Sequence, residues 1–162
     1  MNTDLIDTKH GLRLDRVVLL GRTFKEYRRY FLLELKELIG RDVLDVPGGV
    51  SSFCAEATAR GIRVASFDPI YSLSVEEIAA RSEPDLEAVY RAIGSVPTYR
   101  RSYYKTPERM RELRERAYSI FLSDYKGHPE RYVAGKLPKL HFPDASFDLT
   151  LISYFLSLMR ND

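Results

Sequence analysis

Apolar positions along the chain change their spacing several times, and each change marks a predicted element. Phe24, Tyr27, Phe31, Leu35 and Leu38 recur at helical intervals behind Thr23-Phe24-Lys25-Glu26, which has the spacing of a capping box, so one amphipathic helix is expected from Thr23 to Gly40. Arg41 to Val46 (RDVLDV) is a short aliphatic run stopped by Pro47-Gly48-Gly49, as in a buried strand entering a tight loop. Ser51 to Arg60 reads as a helix with Ser51 or Ser52 as its cap and Gly61 just past its end. Ile62 to Phe67 is a second strand, closed by Asp68-Pro69. Strand, Gly-rich loop, helix and strand in so short a span form a βαβ unit, which implies a right-handed crossover and a parallel sheet.

From about Ser74 to Tyr125 the pattern is helical. Ser74-x-x-Glu77 starts one helix, Ser82-Glu83-Pro84 a second that ends at Gly94, and Thr106-Pro107 caps a third. Alternation resumes with short strands at Arg131 to Ala134 and Phe147 to Ser153, the second so apolar that it reads as covered on both faces. The predicted fold is α/β, a parallel sheet of about four strands with an N-terminal helix and a helical insertion between strands 2 and 3. Residues 1–162 are read as one domain: an N-terminal helical segment (1–40), a βαβ unit (41–73), a helical insertion or lid (74–128) and the last two strands (129–162).

Composition narrows the chemistry. Lys and Arg number 25 against 23 Asp and Glu, with charges mixed along the chain, so no overall field calls for nucleic acid or an acidic membrane. The one local exception, Arg100 to Arg116, interleaves basic residues with Tyr99, Tyr103 and Tyr104. It reads as a solvated helix face with inward tyrosines and pairs such as Glu112 with Arg116, in preference to a nucleic-acid site. A single cysteine, Cys54, excludes an intrachain disulfide framework, and His10, His128 and His141 are too scattered for a metal site. The acidic N-terminus does not look like a signal peptide, and no stretch is long and apolar enough to span a bilayer, so a cytoplasmic protein is expected.

The chemistry-bearing segment is Leu44-Asp45-Val46-Pro47-Gly48-Gly49-Val50-Ser51-Ser52, between a strand and a helix start. Glycines there let a ligand approach the backbone, and free N–H groups at a helix start attract anions. Asp68 stands 23 residues beyond Asp45, at the tip of the next strand, where a carboxylate can take both hydroxyls of a ribose. A Pro-Gly-Gly turn alone is an ordinary turn, and an aspartate at a strand end alone is a cap. Their common register in one βαβ unit points to a nucleoside. The dinucleotide pattern G-x-G-x-x-G and a P-loop lysine are both missing.

Val43 to Phe53 resembles the first motif of class I S-adenosylmethionine-dependent methyltransferases, with Asp45 in the acidic position, Gly49 in the middle glycine position, and Pro47 and Ser51 in place of the outer glycines. Asp68 matches the ribose-binding acid of that family. Leu137-Pro138-Lys139-Leu140-His141-Phe142-Pro143-Asp144-Ala145-Ser146-Phe147-Asp148-Leu149 is similar to the segment leading into its fourth strand. The resemblance implies S-adenosyl-L-methionine as cofactor and methyl transfer to a small-molecule acceptor. It implies that backbone around Gly48, Gly49, Ser51 and Ser52 receives the methionine part, that Asp68 and Pro69 lie at the ribose, and that Ile70 lies on the adenine face. Gly135-Lys136-Leu137 stands where the family often has an acid for the adenine amine; a lysine cannot accept that bond, which leaves backbone near Leu137. Ser153 and Tyr154 would face the transferred methyl, with Tyr154 orienting a nucleophile, and the N-terminal and inserted helices would form the lid and acceptor pocket.

Two alternatives accompany this reading: a non-catalytic cofactor-binding remnant, and an RNA methyltransferase. The family's sheet has seven strands in the order 3-2-1-4-5-7-6, so the resemblance implies a Rossmann-like sheet in the order 3-2-1-4 here, with the last strand an open edge. A truncated domain, or a homodimer joined through that edge, is the corresponding expectation.

Overall fold

A computed structural model describes residues 18–94 and 103–153, the side chains of 92–94 excepted, together with the backbone of Ile6–Asp7 and Gly11–Leu12. Those two dipeptides, β1 and β2, pair antiparallel. The main sheet is built from β3 (Asp42–Val46), β4 (Arg63–Asp68), β5 (Tyr132–Ala134) and β6 (Leu149–Ile152). All its pairings are parallel and the order is β5-β4-β3-β6, the 3-2-1-4 order expected from the sequence. The fold is Rossmann-like α/β.

Strand alternation divides the sheet into two faces. On one, Val43, Val64 and Leu151 pack against Cys54 and Ala57 of α3 (Phe53–Thr58) and Phe121 of α5 (Pro107–Gly127). On the other, Leu44, Val46 and Phe67 are covered by Leu137, Phe142 and Phe147 from the connection between β5 and β6. That cover does not reach all of β6: Leu151 is buried, but Thr150 and Ile152 are exposed. The expectation of a strand covered on both faces is therefore corrected among the described residues.

Two helix predictions are also corrected. The apolar spacing from Phe24 to Leu38 runs through a break, and the chain forms α1 (Phe24–Tyr30) and a short α2 (Leu35–Leu38). The capping box is present, with Thr23 N–H donating to Glu26 at 2.8 Å. At the other end Leu32 takes a left-handed φ of 52°, and the Leu33 N–H reaches back to the Arg28 carbonyl at 3.0 Å. This is a Schellman-type stop with leucine where glycine is usual.

The second correction concerns Pro84, which lies inside one continuous helix, α4 (Val75–Gly94), instead of opening a new one. Ile78, Ser82, Asp85 and Val89 are all buried and fall on one helical face, and α4 packs along α5. Burial of that stripe outweighs the hydrogen bond that proline removes. No helix of the described residues is long and apolar enough to cross a membrane.

Candidate functional site

The loop after β3 and the tip of β4 are tied together. Asp68 Oδ2 accepts the Gly49 N–H at 3.0 Å, and its Oδ1 accepts the Ile70 N–H at 3.0 Å, capping the 3-10 turn Pro69–Ser72. Burial raises the Asp68 pKa, while these two amides oppose the rise. Gly49 has a φ of 53°, and the position of a Cβ on it is open space. Gly48 differs: a Cβ there would lie 2.4 Å from the Tyr71 hydroxyl and 2.8 Å from Ser66 Cβ. Tyr71 also donates to the Gly49 carbonyl at 2.8 Å. The accessible side of the loop is thus Gly49, and the Gly48 side is already filled by protein.

The loop amides expected to receive a ligand are largely engaged. Besides Gly49, Ser51 N–H donates to the Gly48 carbonyl at 3.3 Å and Ser52 N–H to the Arg22 carbonyl at 3.0 Å. Ser52 stands at the N-cap of α3, but its hydroxyl donates to Glu56 at 2.6 Å and does not cap the helix. Ser51 Oγ accepts the Arg22 N–H at 3.1 Å. Both serines therefore fasten the segment before α1 to the loop. Gly21 completes this seam: a Cβ there would fall 2.1 Å from the Val50 carbonyl oxygen, a contact only glycine permits.

Asp45 is fully buried at the carboxyl end of the sheet. Ser66 is its register partner on β4 and donates to Oδ2 at 3.4 Å, and the Tyr27 hydroxyl donates to Oδ1 at 3.0 Å. Burial pushes the Asp45 pKa up to about 8, against the pull of the Tyr27 and Ser66 hydrogen bonds and with help from the Asp68 charge. The Tyr27 ring is held parallel to Phe53 at 4.3 Å. Ser153 continues the ladder by donating its N–H to the Val46 carbonyl at 3.2 Å, and with Tyr30, Phe31 and Ile152 it lines a small hollow of about 170 Å³.

The remaining expected positions are spread out. Pro47 is half-buried at the loop's start, Pro69 is exposed on the 3-10 turn, and Ile70 packs against the helical core. Leu137 belongs to the cluster on the opposite face of the sheet, with Leu44, Val46 and Phe67. Tyr154 lies outside the described residues. Asp45, Gly48, Gly49, Ser51, Ser52 and Asp68 are brought together. Tyr27, Ser66, Tyr71 and Gly21, which the sequence did not single out, complete that group. Only Gly21, a glycine just ahead of a capping box, offered a local signal.

A larger cavity, of about 360 Å³, lies beside the loop. One wall is Leu19, Leu20, Gly21 and Val50; the others come from α4 and α5. Arg114, from the basic run, is only 4 % exposed. It donates to the Gly21 carbonyl, to the buried Glu26 carboxylate and, at 2.9 Å, to the Tyr104 hydroxyl. Burial pushes Glu26 up, but the Arg114 charge and the hydrogen bonds from Thr23 and Tyr104 hold its pKa below the ordinary value. The Glu112–Arg116 pair expected from the sequence is replaced by Arg109–Glu112 at 2.6 Å. Arg111 reaches both Glu87 and, at 2.7 Å, Glu115. These guanidiniums are bound to the protein's own carboxylates.

Fold and site together define a Rossmann-like α/β domain with its loop chemistry at the carboxyl end of a parallel sheet. Over 152 residues the chain is 38 % identical to the uncharacterized protein MJ0045 of Methanocaldococcus jannaschii, a match that spans 93 % of this chain and 68 % of that protein. The chain belongs to the family of that archaeal protein. No family model matches the sequence, and no solved structure matches it.

Proposed function

We propose that this domain binds S-adenosyl-L-methionine and transfers its methyl group to a small-molecule acceptor. One observation carries the reading: the Asp68 carboxylate and the open side of Gly49 meet at the carboxyl end of adjacent parallel strands, joined by a 3.0 Å hydrogen bond. Each Asp68 oxygen accepts one amide and keeps capacity for a second donor, which suits the adjacent hydroxyls of a ribose. The space a Cβ would occupy on Gly49 lets a ligand lie against the backbone there.

Because the amides of Ser51 and Ser52 are spent on Gly48 and Arg22, the amino-acid end of the cofactor falls to other groups. Ser153, expected from the sequence to face the transferred methyl, stands on the neighbouring strand end, where its N–H donates to the Val46 carbonyl. The cofactor supplies a methyl group already activated on a sulfonium. The protein's share is to position it and to exclude water.

Isothermal titration with S-adenosylmethionine and with its demethylated product tests the reading. Both should bind, and Asp68→Asn should weaken both by about tenfold, the worth of one hydrogen bond to a charged group. Binding without turnover in an acceptor screen would leave a cofactor-binding remnant. No binding of either compound would overturn the proposal.

A further inference from the structure

We propose that the cavity between α4, α5 and residues 19–21 binds an aliphatic amine in its ammonium form. Its volume of about 360 Å³ falls in the range of small-molecule sites. Leu19, Leu20 and Leu86 give it an apolar lining suited to a hydrocarbon chain. The charged lining is unbalanced. Arg114 is already neutralised by Glu26, so Glu83, Glu87 and Glu115 face the cavity against Arg111 alone.

That arrangement selects by sign. Arg111 divides itself between Glu87 and Glu115, and Glu83 forms no ion pair among the described residues. An entering carboxylate or phosphate would meet excess negative charge, whereas an ammonium group would be attracted to it. The Tyr118 side chain also lines the cavity, while its hydroxyl is shielded from solvent near Ser82. Three leucines floor the cavity, so the ligand needs an apolar part as well as a charge, unlike a simple metal cation. The inference does not depend on what the glycine loop binds.

The test uses three chains of equal length and different charge: n-hexylammonium, hexanol and hexanoate, titrated into the whole chain while the methyl resonances of Leu19, Leu20 and Leu86 are followed by NMR. Hexylammonium should shift those methyls and bind about tenfold more tightly than hexanoate at low salt, as expected from two partly exposed carboxylates in excess. Glu83→Gln, an exposed change that the fold should tolerate, should weaken hexylammonium about threefold and leave hexanol unchanged. Hexanoate or hexanol binding as tightly as hexylammonium would overturn the proposal. So would shifts confined to methyls outside the cavity, equal hexylammonium affinity in Glu83→Gln, or no binding by any of the three.

Discussion

The Tyr27 hydroxyl spans the carboxyl group of Asp45, at 3.0 Å from Oδ1 and 3.2 Å from Oδ2, and so fixes α1 to the end of the central strand. Because burial raises the Asp45 pKa to about 8, the folded chain keeps a proton there that the unfolded chain releases near pH 4. The stability linked to Asp45 is therefore fully present below about pH 4 and is lost as pH rises through about 8. Urea midpoints measured from about pH 5 to pH 8 should fall less steeply in Asp45→Asn than in the parent. Identical slopes would count against the buried, protonated carboxyl. Tyr27→Phe should cost about 1–3 kcal/mol, since it leaves Ser66 as the remaining hydroxyl partner of that buried carboxyl.

The two loop glycines should respond differently to alanine. At Gly49 the added methyl meets nothing, so only the left-handed backbone is strained, about 1–2 kcal/mol. At Gly48 it collides with Tyr71 and Ser66, and forced overpacking of this kind costs about 1–3 kcal/mol or more. Denaturant unfolding followed by far-UV circular dichroism should rank Gly48→Ala as the less stable. For the S-adenosylmethionine binding proposed above, the order should reverse, because Gly49→Ala fills the open side.

Arg114 is expected to be the most sensitive of the basic residues on α5. Arg114→Met strands the Glu26 carboxylate in the core and should cost about 3–5 kcal/mol, with the double variant Glu26→Gln/Arg114→Met recovering much of the loss. A thermodynamic cycle over the four proteins checks this. Additive losses would show that the two side chains do not act as a pair.

Leu32→Gly should stabilise the chain by about 1 kcal/mol. The leucine is 84 % exposed and sits in the left-handed region, so little packing is lost and the strain is relieved. A rise in thermal midpoint checks it; a fall would mean that the Leu32 side chain contributes contacts of its own.

Sheet order was legible because Val43–Phe53 and Leu137–Leu149 resemble methyltransferase motifs, while the mostly apolar runs Val43–Val46, Ile62–Phe67 and Leu149–Ile152 marked where the strands fall. Thr23 and Glu26 announced their helix start for a similar reason: the cap is local. The break at Leu32 was hidden, since no glycine marks it and the apolar spacing continues into α2. Pro84 misled because the stripe Ile78, Ser82, Asp85 and Val89 is stabilised by packing on α5, which no local pattern reports. The backbone half of the candidate site, from Asp45 to Ser52 with Asp68, was visible as a motif. Its side-chain half was not: Tyr27 reaches Asp45 from 18 positions away, and Arg114 reaches Glu26 from 88.

The contact between Gly21 and Val50 makes two neighbouring places share one partition. Val50 belongs to the glycine turn, and both residues line the cavity on its far side. An occupant that pushed the partition from the cavity would press it toward the turn, and a ligand seated at the turn would brace it against the cavity. Such a shared wall obliges the two occupancies to be thermodynamically linked whenever either one shifts it, with each changing the other's affinity by the same factor.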